Sequence, residues 1–441
     1  MTNLPRILLL TSLVVAFTSL IIPFTSLIIT FTWSTTDEIV WEIDDGPKDL
    51  HRGRDHCNIP IIDEVHLSTE VFFAEYWRRK PLILRRSAHL NQRAQQRSRK
   101  DYLLKRHGHE TVSLAGTQAF AFRKEEHTTL AEYFQRMKNI NRPNNMTDAS
   151  TTATNTTWDF ANVTNFAFGP DIFHIGDVYQ VPHILQSGDL EWHFQVAYAS
   201  PEAGLTFHWH GDVFAETLHG HRRWFLMPPT HSPVFHPRTT SADWFRRSFS
   251  NNNEIASLLS CTLEPNHAIY VPADWWHAVI SLGEAVSMTT SFPIPYRRDR
   301  YSLGGGHNAY MLDALEKQDL VTAIQEAQLL QQHRPNNLIP YMWLGALYTL
   351  AARRQASDHL QEYLENGTEA TTRCIELNPW FGPCYVWQAR QYNALALLSP
   401  NRRNELTALA QSATAIAAAL GGAQDDELLD PRWQPKSSRQ K

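Results

Sequence analysis

Phe207-His208-Trp209-His210-Gly211-Asp212 carries two imidazoles and a carboxylate at alternate positions, and Asp274-Trp275-Trp276-His277 adds a third imidazole further along. In an extended strand, side chains at i, i+2 and i+4 point to one face. His208, His210 and Asp212 then share a face. Alternate Cα atoms lie about 6–7 Å apart, near enough for two imidazoles to converge on one ion if a third ligand closes from another strand. His277 is that ligand: it follows the turn Pro272-Ala273-Asp274 and sits in an aromatic, strand-like run. Imidazoles with a carboxylate and open positions suit non-haem Fe(II) chemistry. Two registers are open. One uses His208, His210 and His277; the other pairs His210 with Asp212. Strand parity does not separate them. Three neutral imidazoles also suit zinc or copper. Glu216 continues the same parity but lies too far along to join.

The elements that must carry these groups read as short strands with frequent turns, the pattern of a barrel or sandwich. His193-Phe-Gln-Val-Ala-Tyr alternates, Pro201–Gly204 turns the chain, and a Gly220 turn separates two strands. Cys261–Pro265 and Ala268–Val271 bracket a further turn. Upstream, Ser68 or Thr69 caps a helix running to Trp77, and Pro81 leads a strand. Residues 89–107 read as a basic helix with a solvated face, Thr111–Ala115 as a strand, Thr128 as the start of a capped helix, and residues 241–249 as a helix. A polar stretch at residues 139–164 reads as a glycosylated insertion.

Gly304-Gly305-Gly306 is a linker, and the composition then turns Ala- and Leu-rich. Arg334-Pro335 with Tyr341-Met-Trp343, and Asn378-Pro379 with Tyr385-Val-Trp387, align at an offset of 44 residues. Tetratricopeptide repeats have a period of about 34; an insertion near Arg354–Thr368 accounts for the difference. Residues 309–422 thus read as a short helical repeat module that holds a protein substrate or partner.

The apolar fraction of 43% and the 14 Trp suit buried cores, and the length suits two or three domains. The net charge is −5 and Arg is scattered, so nucleic acid is not an expected partner. Ile7 to Trp33 bears no charge and is long enough to span a bilayer. Arg6 precedes it and Asp37, Glu38 and Glu42 follow, which orients the N-terminus to the cytosol. A long cleaved signal peptide is the alternative. Either delivers residues 34–441 to the secretory lumen. The expectation is a single-pass type II membrane protein facing the endoplasmic reticulum or Golgi lumen: residues 1–6 cytosolic, 7–33 the anchor, 34–56 a stalk, 57–299 a β domain, 300–308 a linker, and 423–441 a polar tail. Asn145, Asn155, Asn162 and Asn366 stand in glycosylation sequons.

FHWHGD (207–212), Gly220–Pro229 and Tyr270-Val271-Pro272 running into DWWH together resemble the jumonji C (JmjC) family of cupin-fold dioxygenases, over roughly residues 57–295. The resemblance implies an all-β, double-stranded β-helix (cupin-like) core with flanking helices. It also implies Fe(II) and 2-oxoglutarate as cofactors, and a protein hydroxylase or a catalytically inactive scaffold of that fold. The family's spacing from the first ligand to the turn glycine favours His208, His210 and His277, with Asp212 as the alternative. Arg222 stands where many members carry the Lys that pairs with the distal carboxylate of 2-oxoglutarate. Thr206 is one position from a frequent Thr, and Tyr198 offers a hydroxyl. Four cysteines allow three connectivities. Cys57 and Cys261 both fall in the jumonji-like region, and Cys374 and Cys384 flank Asn378-Pro379; those are the expected pairs in an oxidising lumen.

Overall fold

Short strands build two sheets, and among them Val213–His219, Arg222–Met227 and Trp276–Ser281 are buried on both faces. The computed structural model describes residues 39–43, 46–51, 54–115, 126–140, 166–170, 173–186, 192–236, 239–249, 257–292, 307–354 and 359–420. The strands are β1 (Ile61–Asp63), β2 (Leu82–Arg85), β3 (Thr111–Ala115), β4 (Glu126–Thr129), β5 (Phe166–Pro170) and β6 (His193–Ala199). They continue with β7 (Val213–His219), β8 (Arg222–Met227), β9 (Leu259–Leu263), β10 (His267–Val271), β11 (Trp276–Ser281) and β12 (Ala285–Ser291). One sheet runs β1-β2-β10-β7-β12-β6-β5-β3-β4, the other β11-β8-β9. Val213, Ala215, Ile269 and Val271 of the first pack with Trp224, Leu226, Leu263 and Val279 of the second. Period-two alternation sends Phe225, Met227, Trp276, Ala278 and Ile280 to the other side of the small sheet. Gly220 turns the chain between β7 and β8 at φ 72, where a Cβ would lie 2.1 Å from the Glu284 carbonyl oxygen. Only glycine fits there.

Helices α1 (Thr69–Val71), α2 (Gln92–Arg97), α3 (Lys100–His107), α4 (Leu130–Ile140) and α5 (Ser241–Phe249) flank the sheets. Ser68 caps α1 through the Val71 N–H. Thr129 and Glu132 form a reciprocal capping box at the start of α4. The long basic helix expected over residues 89–107 is broken into α2 and α3, and its solvated reading fails at Lys100. That ammonium is buried against both oxygens of Glu284, at 2.7 and 2.6 Å.

The expected stalk is also corrected. Trp41 is buried and donates its indole N–H to the Ser98 carbonyl. Leu50 is fully buried in the cluster behind the small sheet. Aromatic and aliphatic side chains between the acidic residues give this stretch enough apolar surface to dock.

The C-terminal region is helical: α6 (His307–Glu316), α7 (Leu320–His333), α8 (Leu338–Arg354), α9 (Leu360–Leu377), α10 (Gly382–Leu398) and α11 (Arg403–Ala419). The repeat is carried by equivalent bonds. Tyr341 donates its hydroxyl proton to the Pro335 carbonyl, and Tyr385 does the same to Pro379. Leu338, Ile339 and Phe381 cover the back of the small sheet at Phe225 and Trp276. Fully burying a side chain such as Phe225 stabilises by about 1.5–3 kcal/mol. Both expected disulfides are present. Cys57–Cys261 ties the N-terminal arm to β9, and Cys374–Cys384 joins α9 to α10.

Among the described residues no helix is long and apolar enough to cross a membrane. This overturns the expected type II membrane protein; residues 7–33 themselves lie outside the described residues. Apolar helices such as α8 turn their apolar side chains into protein cores instead. Asn145, Asn155 and Asn162, most of the stretch 139–164, the Gly304–Gly306 linker and residues 423–441 also lie outside the described residues. Asn366 is half-buried on α9.

Candidate metal centre

His208 and His277 face each other across an isolated bridge, each N–H donating to the other's carbonyl at 3.0 and 2.9 Å. The extended strand expected over residues 207–212 does not form; regular pairing starts at Val213. The chain bends at Gly211, and the bend changes parity. His208, His210 and Val213 all line one cavity, while Asp212 turns away. The alternative register falls for that reason. Asp212 is buried and accepts from Arg78 Nε at 2.8 Å, Tyr270 Oη at 2.6 Å and the Ala273 N–H at 3.1 Å. Burial holds its carboxyl above the usual value, against the pull of Arg78 and Tyr270. Glu216 is likewise committed elsewhere, to Arg86, Asn91 and Tyr179.

The ligand-capable nitrogens of His208, His210 and His277 lie within 4.8 Å of one another. Their Nδ1 atoms meet the carbonyls of Thr206, Gly211 and Trp275 at 2.8, 2.8 and 2.9 Å. A carbonyl only accepts, so each Nδ1 carries the proton and each Nε2 presents a lone pair. Nε2 of His210 and of His277 are 3.1 Å apart. Two lone pairs so placed repel unless a cation lies between them. The donor set therefore fits a divalent ion such as Fe(II), Zn(II) or Cu(II).

Burial, then the neighbouring imidazoles, pushes His277 well below the usual histidine range. Loss of water also lowers His210, the most exposed residue of the three. Both are neutral and ready to bind metal at neutral pH. The sign for stability follows. Below about pH 6.5 the unfolded chain takes up protons that the folded imidazoles refuse. The chelator-treated protein is expected to lose up to about 1.4 kcal/mol per pH unit from His277 in that window. Thermal melts between pH 5 and 8, in the parent and in His277→Gln, check this: the substitution should flatten the dependence.

The three histidines open into a cavity of about 300 Å³, lined also by Gln195, Leu205, Arg222, Trp224, Thr289 and Ser291. Arg222 is buried, and loss of water lowers it to about 10, so it stays charged at neutral pH. It donates to Ser287 Oγ, and its Nε has no hydrogen-bond partner among the described residues. Tyr198 does not join it. Gln195 and Ala197 of β6 face the cavity, so Tyr198 points the other way, against Trp41, Phe134 and Phe173. Thr206 orients His208 through its carbonyl and does not line the cavity. The sequence reading missed Gln195, Thr289 and Ser291; alternation along β6 and β12 was the signal available for them.

These features define a cupin-like core of two sheets with three histidines placed so that they could hold a metal ion. The profile of the cupin-like domain family matches residues 68–295, and the chain belongs to that family, with a domain of the JmjC type. JmjC domain-containing protein 8 of Rattus norvegicus is 29% identical over 226 residues, 51% of this chain and 79% of the relative. The Homo sapiens protein of the same name is 29% identical over 220 residues, 50% and 78% of the two chains. The Caenorhabditis elegans bifunctional arginine demethylase and lysyl-hydroxylase psr-1 is 31% identical over 90 residues, 17% of this chain and 22% of that protein.

Proposed function

We propose that the chain is an Fe(II)- and 2-oxoglutarate-dependent oxygenase acting as a protein hydroxylase. The observation that carries this reading is the buried Arg222 guanidinium in the cavity of the histidine triad, with no carboxylate paired to it among the described residues. A buried cation without a counter-charge is costly, and an anionic cosubstrate supplies one. His208, His210 and His277 would hold the metal. Arg222 would bind the distal carboxylate of 2-oxoglutarate, where guanidinium forms charge-assisted bonds, and Gln195, Thr289 and Ser291 offer further polar contacts. Trp224, Val279 and Phe292 exclude water. When bound, the metal would supply the redox chemistry that couples oxidation of 2-oxoglutarate by O₂, to succinate and CO₂, to oxygen insertion in the substrate. A relative named for demethylation and lysyl hydroxylation supports the reaction class. A protein substrate or partner would engage the helical region, where a polar groove of about 730 Å³ is lined by Gln328, Tyr348, Asn366, Glu369 and Arg373.

The test is anaerobic loading with Fe(II), then conversion of 2-oxoglutarate to succinate in air. Arg222→Ala is expected to raise KM for 2-oxoglutarate by about 10–100-fold, the value of a charge-assisted hydrogen bond, with a smaller change in kcat. An unchanged KM tells against the assignment. A specific observation favours a second reading, a catalytically inactive scaffold: the triad contains no carboxylate, since Asp212 is bound to Arg78 and Tyr270. Tight metal binding without cosubstrate turnover would favour that reading.

A further inference from the structure

The metal centre is not built by the barrel alone. The turn between β10 and β11 controls two of the three ligands. The Asp274 N–H donates to the His210 carbonyl at 3.0 Å, and the Trp275 carbonyl receives His277 Nδ1–H at 2.9 Å. Asp274 sits at φ 65, a left-handed conformation that costs a non-glycine residue free energy unless its surroundings hold it. What holds it comes from the helical region. Arg334 Nη2 donates to Asp274 Oδ2 at 3.0 Å and Asn308 Nδ2 to Oδ1 at 3.2 Å. The ion pair is largely buried, with side-chain exposures of 4% and 13%. Arg334 is the C-cap residue of α7, and its own N–H returns to Leu330 and Gln331, so the guanidinium projects from a fixed base. Asn308 lies in the first turn of α6. On the opposite side, Asp212 grips the turn at the Ala273 N–H.

We infer that Arg334, with Asn308, is a positioning residue of the metal centre, and that the helical region sets the metal's affinity through Asp274. The inference rests on the reading of the histidine triad as a metal site. A buried charge-assisted pair resists being pulled apart, so it fixes the left-handed turn. The turn then fixes the spacing of His210 and His277. Loss of Arg334 frees the Asp274 carboxylate to seek water and relaxes both ligands.

The probe is Co(II) added to the full chain, followed by its visible ligand-field bands, which report coordination geometry without turnover. Arg334→Ala is expected to weaken Co(II) binding about 10–100-fold, the usual effect of removing a group that orients a ligand, and to shift the bands. Arg334→Lys should restore part of the affinity. Asp274→Asn keeps a residue that tolerates the left-handed turn but removes the charge, and should weaken binding as well; it carries the test if Arg334→Ala does not fold. Asn337→Ala is the control. It deletes a different contact between helical region and barrel, to the Pro229 carbonyl at 2.7 Å, and should lower Tm while keeping the parental Co(II) affinity and bands. Parental affinity and bands in both Arg334→Ala and Asp274→Asn would overturn the inference. So would an equal loss in Asn337→Ala, which would mark general loosening. Failure of the parent itself to bind Co(II) would instead overturn the metal-site reading.

Discussion

His277→Ala should lower the affinity for Fe(II) or Co(II) by more than about 100-fold, beyond what loss of an orienting partner alone causes. The residue is fully enclosed, its Nε2 lies 3.1 Å from that of His210, and its Nδ1 proton is tied to the Trp275 carbonyl. Among the described residues the carboxylates beside it are committed elsewhere, Asp212 to Arg78 and Tyr270 and Asp274 to Arg334 and Asn308. His208→Ala and His210→Ala should each follow, with the smallest loss at His210, the most open of the three. Isothermal titration with Co(II) under exclusion of air measures the series. A protein lacking His277 that binds as tightly as the parent would place the ion elsewhere.

Asp212→Ala should destabilise the fold by about 3–5 kcal/mol, the usual cost of stranding one partner of a buried ion pair. The carboxylate is 1% exposed, and three donors from two stretches of chain converge on it: Arg78 from one, Tyr270 and the Ala273 N–H from the other. Since burial alone raises the Asp212 carboxyl, the pair adds little net stability; the cost comes from leaving its partners dry and unmatched. Urea denaturation of the two proteins gives the number. Co(II) binding measured well below the unfolding midpoint separates this role from ligation. An ordinary ligand would lose metal affinity in proportion to its removal, whereas Asp212→Asn should retain most of it.

The difference between these two residues shows what a sequence carries. Residue types at alternate positions, with a distant WWH, singled out three histidines, and the fold brings them together because His208 and His277 are hydrogen-bonded neighbours. Strand parity then failed at Gly211. A bend of a single residue exchanges the faces of everything after it, and neither hydropathy nor spacing encodes that bend. Tyr198 failed for a related reason. Its strand was legible, but which face of β6 meets the cavity depends on the sheet packed across from it. Lys100 was read as solvated because a basic helix usually is. Its partner Glu284 lies 184 residues away, beyond the reach of local pattern.

The sequence by itself determined the strand-rich core, the turn at Gly220 and the equivalent tyrosines of the helical repeat; it allowed three pairings of the four cysteines, and the structure shows the expected one. The first three follow from local periodicity, backbone freedom and simple placement along the chain. Only the tertiary structure decided which carboxylate turns away from the three histidines, which arginine in their cavity has no carboxylate paired to it among the described residues, and that α6 and α7 reach back to Asp274. Those outcomes depend on charges brought together from distant segments and on whether water remains between them, and burial is a property of the assembled fold.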